Sequence, residues 1–245
     1  MDKGVKAAIG GTLLLLAVVG GRVAMVVHQR HVDETAVAPA AVEAKMNPDD
    51  LVFLKKMRPD SMKDLQGVVG KTLWVSAGGQ LDYYAVAGKK ANYAKSEGVL
   101  MGADPLVVKD FLEQVAPKTA TFRIPGGDKQ VLMVFTLPKS DKPTALYAVP
   151  VGYVEGGTYT IQTDEIFFYD DPHVLYKHWT ADQWKAIDGH TVIPGMSEKQ
   201  VQLSLGQVSK SESQEFGNRT VTFDHQGKPV DVTFEKDKAT NIRQD

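Results

Sequence analysis

The sequence predicts three structural parts in succession: an N-terminal transmembrane helix, a mainly-β domain, and a small α+β module at the C-terminal end. An apolar run near the N-terminus, short period-two apolar runs in the middle, and helix caps followed by a hairpin pattern support this order. A formal net charge of −2 provides no basic face, so nucleic acid is excluded as an expected partner. The chain has no cysteine, which excludes disulfides, thiol catalysis and Cys-ligated metals.

The apolar run covers residues 7–27. As a helix it would be about 31 Å long, enough to cross a bilayer core of roughly 30 Å. Arg22 lies near its end, from where the side chain can reach the membrane surface. The uncharged stretch 7–21 also suits a signal peptide, with Ala38-Pro39-Ala40 as a small-x-small cleavage site. We therefore expect residues 7–27 to contact a lipid bilayer, and both an anchor and a cleaved signal stay open.

Four regions follow from this interpretation. Residues 1–30 are the anchor or signal peptide, and residues 31–66 are an Ala- and Pro-containing tether with short helices. Residues 67–170 form the strand-rich domain, and residues 171–245 form the α+β module. The expected location is the inner (cytoplasmic) membrane, with a single membrane pass and the C-terminal domains in the periplasm.

Short strands separated by Gly/Pro turns dominate the middle of the chain. Residues 73–75 and 81–86 flank Ala77-Gly78-Gly79-Gln80, which predicts a hairpin. Residues 105–115 fit either a strand or a turn of helix, and residues 131–135 are apolar without interruption, which indicates a strand buried on both faces. Strands at this spacing favour a small antiparallel barrel, for which an SH3-like barrel is the form considered.

Residues 165–190 concentrate aromatic, histidine and acidic side chains. The aromatic residues either fill a seam between the two domains, or an exposed part of the cluster forms a binding hot spot. Asp171 suits a helix N-cap with Pro172 at the first helical position. The candidate binding residues are Tyr169, Tyr176, Trp179 and Trp184.

A metal or catalytic site is the alternative use of this segment. Its candidate residues are Asp170, Asp171, His173 and His178. On one helix, His173 and His178 would lie about 140° apart, whereas two ligands on one face need a spacing of three or four residues. No nucleophile motif such as G-x-S-x-G accompanies them. The prediction is therefore no catalytic residue, no metal ligand and no cofactor.

The C-terminal module begins with two capped helices. Thr180 and Gln183 form one capping box, and Ser197 and Gln200 form another before a helix that ends at Gly206. Residues 218–224 and 230–237 alternate apolar with polar positions, as a hairpin with one buried face does, and residues 239–242 could add a third strand.

This module resembles the BamE-like (SmpA/OmlA) family. The resemblance covers residues 180–245 and rests on the motif Ile193-Pro194-Gly195-Met196-Ser197-Glu198-Lys199-Gln200-Val201 with Leu205-Gly206, and on the two strands around Val221 and Phe234. It implies an extracytoplasmic, non-catalytic interaction module. The expected function is thus a membrane-anchored interaction protein of envelope assembly or maintenance that binds an envelope protein or polymer. A periplasmic metal-binding protein or hydrolase using Asp170, Asp171, His173 and His178 is the alternative.

Overall fold

The computed structural model describes residues 20–30, 46–77, 79–118 and 123–244. The chain divides into two compact units, residues 1–47 and residues 48–245. In the first unit, the described residues 20–30 form helix α1. The predicted tether lies mostly outside the described residues, at positions 31–45.

No described helix is long and apolar enough to cross a membrane. The described part of α1 would extend about 16 Å, roughly half of a bilayer core, and it carries Arg22 and Arg30. This finding contradicts the predicted transmembrane helix and signal-anchor, and with them the single-pass location in the inner membrane. Residues 7–19 of that prediction lie outside the described residues.

The second unit is mainly β, with its described strands in two antiparallel sheets. A 3₁₀ turn at Pro48–Leu51 and the short helix α2 (Met62–Gln66) precede the first sheet. Its eight strands are β1 (Thr72–Val75), β2 (Asp82–Ala87), β3 (Lys90–Val99), β4 (Pro105–Gln114), β5 (Lys129–Thr136), β6 (Tyr147–Glu155), β7 (Thr158–Ile161) and β8 (Phe167–Phe168).

The first sheet is open, so the predicted barrel, SH3-like or otherwise, is wrong. The strand order is β3-β2-β6-β5-β4-β1-β8, with β7 paired to β6 outside this order, and within the described chain the end strands β3 and β8 do not pair with each other. Strand β5 is buried on both faces from Gln130 to Thr136, as predicted. Residues 105–114 are a strand, which settles the alternative left open by the sequence.

The predicted hairpin around residues 77–80 is also wrong. Strand β1 pairs with β4 and β8, and β2 pairs with β3 and β6. Leu73 and Val75 of β1 are buried in the first core, the apolar cluster of the first sheet that includes Val131 and Phe135. Gln80 instead contacts the chain just before the second sheet, where its Nε2 donates to the Leu205 carbonyl (3.1 Å) and its Oε1 accepts from the Gln207 amide (2.9 Å).

The C-terminal part packs helices against a four-stranded sheet. Along the chain, the short helix α3 (Thr163–Ile166) precedes β8, and α4 (Pro172–Leu175) follows it. Helices α5 (Ala181–Asp188) and α6 (Glu198–Leu205) follow. The sheet has the order β12-β11-β10-β9 and consists of β9 (Val208–Ser211), β10 (Thr220–Phe223), β11 (Val230–Glu235) and β12 (Lys238–Gln244).

The local signals in this part of the sequence are confirmed. Both capping boxes form, at Thr180 with Gln183 and at Ser197 with Gln200, and Asp171 caps α4. The hairpin β10–β11 and the third strand β12 are present. The domain boundary expected after residue 170 falls between β8 and α4 and stays a prediction.

Candidate functional site

Three of the four aromatic residues predicted as a binding surface lie in the second core, the buried apolar cluster that α5, α6 and the second sheet form around Ile187, Leu205 and Phe223. Tyr176, Trp179 and Trp184 are 2%, 7% and 9% exposed, respectively. The rings of Tyr176 and Trp179 stack with centroids 4.3 Å apart, and Trp184 packs 5.1 Å from Trp179. Phe168 of strand β8 belongs to the same core. This burial fits the interpretation that these residues fill a seam between the two domains, which was one of the two left open.

Tyr169 lies apart from those rings. Its hydroxyl is hydrogen-bonded to Thr163 Oγ1 (2.9 Å) and Asp164 Oδ1 (2.8 Å), and burial raises the pKa of the Tyr169 phenol. Its side chain packs against the first core. Tyr169 therefore positions Asp164, whose carboxylate also binds the backbone of Met57 and Arg58.

The two histidines of the alternative metal site bind different carboxylates. His173 lies between Asp171 (Nδ1···Oδ1 2.9 Å) and Asp188 (Nε2···Oδ2 3.1 Å), and its ring stacks 4.0 Å from that of Trp184. His178 Nε2 is 2.5 Å from Asp49 Oδ1. Among the described residues, no group of three or more His, Asp or Glu side chains could hold a metal ion.

Asp49 fixes the beginning of the second unit to the second core. Besides His178, its Oδ1 atom accepts a hydrogen bond from the indole Nε1 of Trp179 at 2.8 Å. Asp49 lies in the 3₁₀ turn Pro48–Leu51. The chain that leaves this turn is thus held against the buried aromatic residues at its N-terminal end.

Asp164 holds the chain at residues 56–58, on the other side of the segment that follows the 3₁₀ turn. Its carboxylate accepts hydrogen bonds from the amides of Met57 (3.1 Å) and Arg58 (2.9 Å), and Lys56 Nζ donates to its backbone carbonyl (2.5 Å). Burial acts to raise the pKa of Asp164, but the hydrogen bonds from Arg58, Met57 and Tyr169 outweigh it and hold that pKa below its usual value.

Between these two attachment points lies an exposed apolar strip, formed by Leu51, Phe53 and Leu54. Their exposed fractions are 54%, 87% and 40%. Val52, between them, packs against the second core. No backbone hydrogen bond joins residues 53–55 to the rest of the described chain. The backbone is therefore fixed at both ends while three large apolar side chains point to solvent.

A small cleft adjoins the strip. It has a volume of about 120 Å³ and lies between the chain at residues 54–56 and the chain at residues 164–170. Tyr169 and Asp170, both named by the sequence, line it together with Leu54, Phe168 and Leu175. The lining of the cleft thus combines apolar side chains with charged ones, among them Lys56 and Asp164.

A second cleft, of about 360 Å³, separates the two sheets. Its lining is mostly polar and includes Gln80, Asp82, Arg123, Gln207 and Asp224. Burial lowers the pKa of the Arg123 guanidinium, although Asp224 and Asp82 act in the opposite direction. None of the site residues predicted from the sequence lines this cleft.

Comparisons of the chain with protein-family models, with curated proteins and with solved structures found no match. The fold and the site together define a mainly-β protein of two sheets that presents an exposed apolar strip, with hydrogen bonds holding the chain on both sides of it. The sequence interpretation missed this strip, because residues 49–66 were assigned only short helical turns. Four consecutive apolar residues, placed between two acidic and two basic ones before Pro59, are the signal that could have found it.

Proposed function

We propose that this chain is a non-catalytic interaction protein, and that it binds a protein partner through the apolar strip Leu51, Phe53 and Leu54. The observation that carries the proposal is the 87% exposure of Phe53 on a backbone fixed at both ends. Isolated exposed apolar residues are common, but Phe53 lies beside Leu51 and Leu54, and Leu54 also lines the adjoining cleft. Aromatic anchors surrounded by aliphatic residues are typical of the centres of protein interfaces.

Preorganisation adds to this argument. Binding costs conformational entropy whenever a flexible segment must become ordered at the interface. Here Asp49 and Asp164 already hold the segment in place through hydrogen bonds to Trp179, Met57 and Arg58. A partner would therefore meet side chains that require little further ordering.

The resemblance of residues 180–245 to the BamE-like family supports the same class of function, because that resemblance implies an interaction module without catalysis. The metal-binding or hydrolase alternative needs Asp170, Asp171, His173 and His178 to act together, and of these four residues only Asp171 and His173 are hydrogen-bonded to each other in the described chain. His173 and His178 each bind separate aspartates, and Asp170 contributes to the cleft rather than to either histidine.

Site-specific photo-crosslinking tests the proposal. A photoreactive amino acid replaces Phe53 in the full-length chain in cells, and the matched control replaces the exposed Val115, which lies outside the strip. We expect a discrete protein adduct from position 53 that is absent from position 115. The adduct should disappear when Leu51→Asp and Leu54→Asp are added. Equal labelling at both positions, or no adduct at position 53, would contradict the proposal.

A further inference from the structure

The chain around the strip has a chemically symmetric sequence. Residues 49–56 read Asp-Asp-Leu-Val-Phe-Leu-Lys-Lys. About the midpoint between Val52 and Phe53, each acidic residue is mirrored by a basic residue and each apolar residue by another apolar residue. Two such segments placed antiparallel therefore present opposite charges to each other at both ends and apolar side chains at the centre.

This symmetry matches the geometry of a twofold interface. In a twofold dimer the same patch faces itself, so that residue i of one copy meets residue j of the other and residue j meets residue i. Antiparallel placement of residues 49–56 pairs Asp50 with Lys55 of the second copy, and Leu51 with Leu54. Val52 and Phe53 lie nearest the axis, which places the most exposed side chain of the strip at the centre.

Contacts within the chain already engage some of these charged side chains, and the others are available to a second copy. The outer pair is engaged within the chain, since Asp49 binds His178 and Trp179, and Lys56 donates to the Asp164 carbonyl. Asp50 and Lys55 are exposed, and no hydrogen bond or ion pair engages their side chains within the described chain. Asp50 and Lys55 are therefore the charged residues that can form ion pairs with a second copy.

The backbone supports the same arrangement. Residues 53–55 make no backbone hydrogen bond within the described chain. An exposed stretch of unpaired N–H and C=O groups is a template for pairing with another extended chain. Apolar contact and charge pairing thus favour a second copy of this segment, and the unpaired backbone of residues 53–55 is available to it.

We propose that a second copy of this chain occupies the strip, in an antiparallel twofold dimer centred on Phe53. This inference rests on the proposed function, because it names the partner of that same surface. Charge complementarity between Asp50 and Lys55 fixes the direction of pairing, since like charges juxtaposed across an interface are strongly unfavourable. The parallel alternative would place acidic residues against acidic residues and is excluded by that repulsion.

Charge exchange in the full-length protein tests the dimer. Sedimentation equilibrium of the wild type should give twice the 26.7 kDa mass of the chain. Asp50→Lys alone, or Lys55→Asp alone, should weaken the dimer by at least about tenfold, because each creates two like-charge contacts. An equimolar mixture of the two single variants should form a heterodimer, since both charge pairs are then opposite. The double variant Asp50→Lys/Lys55→Asp should regain the homodimer.

Matched controls separate this effect from a general change of charge. Asp141→Lys and Lys139→Asp alter exposed residues in the turn after β5 and should leave the dimer unchanged. Circular dichroism should show that all variants keep the wild-type fold. A wild type that stays monomeric overturns the inference, and so does a dimer that both single variants leave intact.

The crosslinking experiment distinguishes the failure of this inference from failure of the proposed function. An adduct of position 53 with a different protein, together with a monomeric wild type, overturns the dimer and leaves the interaction function standing. A monomeric wild type without any adduct overturns both.

Discussion

The carboxylate of Glu198 is completely buried and binds the guanidinium of Arg219 through two nitrogen atoms. Oε1 of Glu198 lies 2.5 Å from Nη2 and 3.1 Å from Nε of Arg219, and Oε2 accepts the Gly217 amide at 2.7 Å. Glu198 is the first residue of α6, and Arg219 directly precedes β10. This ion pair therefore fixes the helix against its sheet.

Removal of Arg219 should destabilise the protein strongly. Arg219→Ala leaves the buried Glu198 carboxylate without its counter-ion, and breaking a buried pair in this way costs about 3–5 kcal/mol. Urea denaturation measures the loss in free energy of unfolding. Arg243→Ala is the control, since Arg243 and Asp231 are more exposed and 3.8 Å apart, and its cost should stay below about 1 kcal/mol. Similar losses for both variants would contradict this account.

Local signals in the sequence predicted local structure well. The capping boxes at Thr180 and Ser197 specify hydrogen bonds within four residues, so they can be read from spacing alone. The uninterrupted apolar run of β5 likewise indicated burial on both faces.

Structure that depends on distant partners was not predictable in this way. Which strands flank β1 depends on β8, a two-residue strand almost a hundred positions away. Strand β9 (Val208–Ser211) has a polar, exposed sequence and was not predicted. The fixed ends of the apolar strip depend on Asp164, Trp179 and His178, each more than a hundred residues from the chain that it binds. Periodicity carries no information about such contacts.

Truncation to alanine should lower the free energy of unfolding strongly at a buried aromatic residue and hardly at all in the exposed strip. Trp184→Ala removes a large side chain from the second core and should cost about 3–5 kcal/mol in the free energy of unfolding. Phe53→Ala should change this free energy by less than about 0.5 kcal/mol, because Phe53 is exposed. Urea denaturation compares the two variants. A large loss for Phe53→Ala would mean that the strip stabilises the fold instead of serving a partner.

The contact between Gly206 and Gln80 should be intolerant of a single methyl group. Gly206 ends α6 with φ +95° and ψ −138°, a conformation that favours glycine, and a Cβ there would overlap the Gln80 amide group. Gly206→Ala should therefore cost more than the roughly 1–3 kcal/mol expected from backbone strain alone. Thermal or urea denaturation measures the effect.

Two variants test whether the clash with Gln80 is the cause. Gly195→Ala also places a methyl group at positive φ (+86°), but nothing lies within 4 Å of it, so only the cost of strain, about 1–2 kcal/mol, should remain. In the Gln80→Ala background, Gly206→Ala should become less destabilising by at least about 1 kcal/mol. Strictly additive effects would show that Gly206 acts without Gln80.

Asp164 should protect the chain next to the strip from proteolytic cleavage. Asp164→Ala removes the acceptor of the Met57 and Arg58 amide hydrogen bonds. Hydrogen bonds to charged groups contribute about 1.5–3 kcal/mol each, so local opening should increase by at least about tenfold. Trypsin cleavage after Lys55 and Lys56, followed by mass spectrometry, reports this opening. Glu165→Ala, at the exposed neighbouring acid, should leave the cleavage rate unchanged, and equal rates in all three proteins would contradict the role of Asp164.

The same carboxylate should make the attachment of the strip dependent on acid pH. The pKa of Asp164 in the folded protein lies below its ordinary value of 3.8, because the hydrogen bonds from Arg58, Met57 and Tyr169 outweigh burial. A depressed carboxylate pKa stabilises the folded arrangement above the unfolded pKa, and this contribution is lost as the pH falls through the folded value.

NMR chemical shifts of the Met57 and Arg58 amides measure this dependence. They should stay constant from neutral pH to about pH 5 and should titrate together, with a midpoint below 3.8. In Asp164→Asn the joint titration should vanish, while the amides of β5 keep their wild-type shifts. A midpoint above 3.8 would mean that burial of Asp164 outweighs its hydrogen bonds, and that the chain beside the strip is attached by other contacts.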